Sequence, residues 1–128
     1  MSYYFAKTLS LEFHAAVRRV TEALKAEGFG VLTEIDVKDT LKKKINVEFR
    51  DYRILGACNP SLAYEALQVE DKVGTMLPCN VVVQDVGGGR TEVAAIDPVA
   101  SMQAIENPRL KVAAERVRAK LKSVIAVL

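Results

Sequence analysis

The sequence has no tryptophan, one histidine and two cysteines in 128 residues. Two cysteines cannot build the disulfide framework that staples small secreted domains. Together with one histidine they fall short of the four donors of a structural zinc site, so no metal is expected. His14 stands about 100° from the apolar stripe of its helix, which makes it a boundary or solvent-facing side chain rather than a catalytic one. Charge of one sign is also scarce. A net charge of +2 is far from the basic excess that makes nucleic acid a default partner through phosphate neutralisation. No apolar run approaches the ~20 residues that cross a bilayer, so no membrane association is expected. Residues 1–8 lack both the basic leader and the apolar run of a secretory signal. Cytoplasmic residence with free thiols is the expectation.

What is present fits a globular chain: half of the residues are hydrophobic and 27% are charged, within the usual range of folded domains. The length suits one domain over residues 1–128, with no linker, low-complexity segment or long repeat. Residues 3–8 are aromatic and β-prone. Ser10 offers an N-cap, and Phe13, Val17, Val20 and Leu24 recur at helical spacing up to Gly28. Residues 29–35 alternate, with Phe29, Val31, Thr33 and Ile35 on one face of a strand. Asp36 caps a second helix whose buried stripe is read as Val37, Leu41 and Ile45, closed by Asn46 in a left-handed C-cap. The Lys42-Lys43-Lys44 run is its solvated side.

Residues 52–57 form a third strand. Asn59-Pro60 then starts a helix carrying Leu62, Ala63, Ala66 and Leu67. Residues 79–86 are a strongly apolar strand, joined through Gly87-Gly88-Gly89 to a partner strand over residues 90–97. A helical turn spans residues 100–105. Asn107-Pro108 caps a long final helix with the stripe Leu110, Ala114, Val117, Leu121, Val124 and Leu128. The triglycine hairpin requires an antiparallel pair, and the fold class is α+β, a mainly antiparallel sheet backed by helices.

Chemistry concentrates where Cys58-Asn59-Pro60 ends the third strand, Pro78-Cys79-Asn80 begins the fourth and Asp97-Pro98 ends the fifth. If the third and fourth strands are antiparallel neighbours, Cys58, Asn59, Cys79, Asn80 and Asp97 converge at one sheet edge. Cys58 precedes a helix N-terminus, where free N–H groups and the helix dipole favour a thiolate. Against that, cysteine is among the most buried residue types, and both thiols also fit as small core residues. Asn59 also reads as a helix cap and Asp97 as a turn residue, while Asn80 serves equally a ligand or the backbone. The triglycine segment leads into a strand rather than a helix and is a turn, not a phosphate cradle. Arg109, Lys111, Arg116, Arg118, Lys120 and Lys122 give the last helix a basic face without the aromatic residues that stack nucleic acid bases.

The segments 28–37, 52–60 and 77–83, with Asp97-Pro98, carry a resemblance over nearly the whole chain to the uncharacterised family called domain of unknown function 302. One departure is Asn46, where members often carry glycine; asparagine also tolerates the left-handed conformation. The resemblance implies an α+β fold similar to the TATA-box-binding-protein superfold, with helices on one face of an antiparallel sheet, and homodimers. It carries over no established reaction and leaves the cofactor unknown, and likeness to a DNA-binding superfold does not transmit DNA binding.

Three functions follow for testing. The first is a small-ligand binding or accessory module with a cleft lined by Cys58, Asn59, Cys79, Asn80 and Asp97. The second is a thiol enzyme or redox protein with Cys58 as nucleophile, Cys79 as resolving thiol and Asp97 assisting proton transfer. The third is a dimeric interaction protein without chemistry.

Overall fold

The structure, a computed structural model, describes residues 2–128. Strands β1 (Tyr4–Leu9), β2 (Gly30–Asp36), β3 (Tyr52–Cys58), β4 (Cys79–Gly87) and β5 (Arg90–Ile96) form one sheet in the order β1-β5-β4-β3-β2. Every neighbouring pair is antiparallel, so the α+β class and the antiparallel sheet both hold. The turn between β4 and β5 places Gly87, Gly88 and Gly89 at φ +85°, +65° and +73°, a run of left-handed backbone that glycine alone adopts freely.

Helices α1 (Phe13–Ala26) and α5 (Pro108–Ala126) back one face of the sheet. Their Val20, Leu24, Leu121 and Val124 pack with Leu55, Val81, Val83, Val93 and Ala95 of the strands. Each of these leucines and valines contributes roughly 1.5–3 kcal/mol on full burial. Helix α3 (Pro60–Val69), a 3-10 turn over Asp71–Met76, and the short α4 (Pro98–Ser101) meet the first half of α5 in a second cluster. That cluster is Ala66, Val73, Met102, Leu110 and Ala114. The 3-10 turn has no apolar period and was not expected.

Several local expectations are corrected. Glu12, not Ser10, caps α1, accepting from His14 N at 2.9 Å and Ala15 N at 2.6 Å; these two bonds, the larger first, hold its carboxyl below the usual range. The face expected for β2 breaks at Leu32, where a bulge between Val31 and Thr33 shifts the register. One extra residue turns Thr33 and Ile35 to the opposite side from Val31. Helix α2 (Val37–Ile45) is capped by Asp36 and by Asn46 at φ 54°, as its sequence indicates, but none of its residues is buried. Ile45 is 63% exposed. Leu67, expected on the buried side of α3, is exposed, and only Leu62 and Ala66 of that helix are fully buried. The long-helix stripe is buried at Leu110, Ala114, Leu121 and Val124, with Leu128 beyond it and Val117 half-buried.

Candidate functional site

Cys58 is the last residue of β3 and Cys79 the first of β4, and the register opposes Ala57 to Cys79. The two thiols therefore meet at one end of two adjacent strands. Asn59 fixes the corner: its Oδ1 accepts from Leu62 N at 3.3 Å, capping α3, and its Nδ2 donates to Glu27 O at 3.4 Å. The second bond ties the start of α3 to the end of α1. A Cβ on Gly28 would lie 3.0 Å from Asn59 Nδ2, and Gly28 has φ +83°. Glycine is needed there twice over, for backbone conformation and for space.

Below this corner lies a cleft of about 40 Å³, placed at the seam between the two hydrophobic clusters. Phe29, Ala57 and Cys79 come from the first cluster; Ala66, Met102, Leu110 and Ala114 come from the second. Cys58, Asn59 and Pro78 complete the corner. The space exists because the facing positions of α3 and α5 are small: Ala63, Ala66, Ala113 and Ala114 stop short of one another. Ala63 and Ala66, at i and i+3, share a helix face, whereas Ala113 and Ala114 are adjacent in sequence, and nothing distinguished either pair from ordinary packing.

Cys79 is buried, and burial followed by the nearness of Cys58 pushes its thiol from 9.0 up to about 11. Burial also pushes the half-buried Cys58 up. Loss of water around the Cys58 sulfur acts against the thiolate that the N-terminus of α3 favours. Both side chains are neutral thiols at pH 7. Neither is bonded to the other.

The expected convergence of all five polar residues is also corrected. Cys58, Asn59 and Cys79 line the cleft; Asn80 and Asp97 do not. Strand alternation turns Asn80 away from Cys79 onto the opposite face of the sheet, beside Val82 and Gln84. Asp97 follows β5 and its carboxylate turns to α4 and α5. It caps α4 by accepting from Val99 N at 3.0 Å and accepts from Arg118 Nε at 3.1 Å. Its neighbour Pro98 reaches the cleft instead. Arg118 is not the only basic residue of α5 with a partner, since Arg116 pairs with Glu65 at 2.7 Å and Lys120 with Glu27 at 3.8 Å.

Among the described residues no group of three or more histidine, cysteine, aspartate or glutamate side chains stands together, and no helix is long and apolar enough to cross a membrane. His14 is exposed, with its ring edge-on to Phe13. Fold and cleft together define an α+β chain with an apolar, thiol-edged pocket. Residues 5–128 match the model of the family described as domain of unknown function DUF302, and the chain belongs to that family. It is also similar to the crystal structure of an uncharacterized conserved DUF302 protein from Bacillus stearothermophilus, at 28% identity and a TM-score of 0.90 over 98% of each chain. No curated protein matches the sequence.

Proposed function

We propose that the chain is a cytoplasmic, homodimeric binding module that holds a small, uncharged, largely apolar ligand in the cleft at Cys58 and Cys79. One observation carries this: the cleft is walled by apolar side chains and two neutral thiols, with the Asn59 amide already committed to protein partners. A charged ligand would enter such a space unpaired and be rejected by its desolvation cost. Its volume of about 40 Å³ admits only a few heavy atoms, whereas drug-sized ligands occupy roughly 300–1,000 Å³. The free thiols fit a reducing compartment. Asn80 and Asp97 drop out of direct contact in this arrangement, Asp97 acting through α4 to hold Pro98 at the wall.

Dichloromethane, an uncharged probe of three heavy atoms, titrated into labelled protein tests the proposal by amide chemical shifts. Shifts that saturate at Ala57, Cys58, Leu62 and Ala113 support it; no saturable shift, or shifts confined to other surfaces, refutes it. A redox pair remains the second reading for one reason. The register sets the Cα atoms of Cys58 and Cys79 roughly 6 Å apart, from the cross-strand and along-strand spacings, within the reach of a disulfide.

A further inference from the structure

The face of the sheet away from α1 and α5 carries side chains in three rows, read from the strand registers. The middle row is Ala6, Ala94, Val82, Ile54 and Ile35, one residue from each strand in spatial order. All five are apolar, and none is buried. Beside it run Tyr4 and Ile96 on one flank, followed by Asn80, Gly56 and Thr33. On the other flank lie Thr8, Glu92, Gln84 and Tyr52.

An antiparallel sheet with one solvated face ordinarily shows polar residues there. Here the outward positions at the centre are aliphatic, which is the pattern of a covered surface. We infer that this open sheet face is the surface on which a second copy of the chain packs, so that the two sheets stack face to face with Val82 of each copy at the twofold axis. The proposal rests on the homodimeric part of the function proposed above and names its interface.

Three features select a second copy as the occupant. The first is position. Val82 lies on β4, the central strand of five, and in the middle row, so a twofold axis lying between the sheets brings it against its own counterpart. The second is charge. Glu92 is the only charged residue in the three rows, and Arg50 lies over the same flank, with Arg50 Nε donating to Gln84 Oε1 at 2.9 Å and Gln84 Nε2 donating to Glu92 Oε1 at 3.1 Å. Each copy brings one carboxylate and one guanidinium to the margin, so two copies are mutually complementary there and leave no charge at the centre.

The third is area. Five strands spaced about 4.8 Å apart and about six residues long give a footprint of roughly 450–500 Å² per copy. Two copies bury about 1,000 Å² with the fringe of Tyr3, Phe49 and Arg50, the lower bound of a specific interface. The small Ala6 and Ala94 let the sheets approach to the ~10 Å separation of stacked sheets.

Sedimentation velocity of the full chain at about 10 and 200 μM, spanning a micromolar dissociation constant, tests the proposal. The expected result is a species of twice the monomer mass at the higher concentration, converted to monomer by Val82→Lys with its thermal melting retained. Val82→Cys should form an intermolecular disulfide through the introduced thiols on mild oxidation, identified by peptide mass. That variant decides the matter if Val82→Lys fails to fold. A dimer that survives Val82→Lys, or one in which Val82→Cys does not cross-link, overturns this face while leaving the dimer intact. A wild-type monomer at the higher concentration overturns both.

Discussion

Gly56→Ala is expected to destabilise the protein by about 2 kcal/mol. Gly56 is buried in β3, one residue before Ala57 of the cleft wall, and opposite both Thr33 and Asn80. A Cβ there would overlap the Thr33 hydroxyl outright and stand 2.7 Å from Pro78 Cγ. The hydroxyl can leave only by changing a χ1 that β-branching restricts, and the proline ring is fixed to the chain. Overpacking of this kind costs roughly 1–3 kcal/mol, and so severe an overlap belongs near the upper end. Replacing a strand glycine with alanine returns about 0.5–1 kcal/mol of backbone entropy. The net loss lowers the melting temperature by about 8 °C at ~4 °C per kcal/mol. Urea unfolding of Gly56→Ala, Thr33→Ala and the double variant measures this and the coupling. Removing the hydroxyl should recover roughly half of the loss, a coupling above about 0.5 kcal/mol between contacting residues. Wild-type stability in Gly56→Ala, or strict additivity with Thr33→Ala, would refute the packing described for this corner.

Cys79 gives a pH dependence. Its folded pKa is raised from 9.0 to about 11, so the unfolded chain loses this proton first. The contribution is full below pH 9 and is lost as the pH rises toward 11, because the native state binds more protons in that window. A pKa difference of one between the folded and unfolded chain corresponds to about 1.4 kcal/mol, giving a fall on the order of 2–3 kcal/mol. Urea midpoints from pH 8 to 11 should show a steeper decline in wild type than in Cys79→Ala; parallel declines would contradict the burial of this thiol. Asp97→Ala removes both the α4 cap and the partner of Arg118, and should cost about 1–2 kcal/mol in urea unfolding. Asp97→Asn, which keeps a capping oxygen, should lose less; equal losses would assign the whole effect to the ion pair.

Much of the fold was legible because local chemistry and tertiary placement agree. Asn59-Pro60 and Asn107-Pro108 cap helices where they stand, the three glycines turn the β4–β5 hairpin, and Leu121 and Val124 are buried as their spacing indicates. The misreadings have separate physical causes. The bulge at Leu32 reverses the faces of β2, and no residue type in that stretch signals an inserted residue. Helix α2 has a clear apolar stripe that tertiary structure leaves uncovered.

The site was half legible for a related reason. Strand pairing brought Cys58 and Cys79 together as their positions at the strand ends implied, but adjacency in sequence does not mean adjacency of side chains. Asn80, next to Cys79, faces the other way, and Asp97 is drawn off by Arg118 twenty-one residues later on α5. The two readings of Cys58 stayed open in the sequence because the N-terminus of α3 is visible there whereas burial is not. The cleft itself depends on alanines being small on two helices far apart in the chain, a coincidence that no local pattern records.

Diffraction from crystals held under xenon pressure tests the central claim most directly, since xenon is a small apolar probe that enters apolar cavities. The expected result is one dominant xenon site between Cys58, Leu62 and Met102, which is weakened when Ala113→Leu fills the space. A cleft that stays empty while xenon occupies other parts of the molecule would contradict the assignment of this cleft as the ligand site.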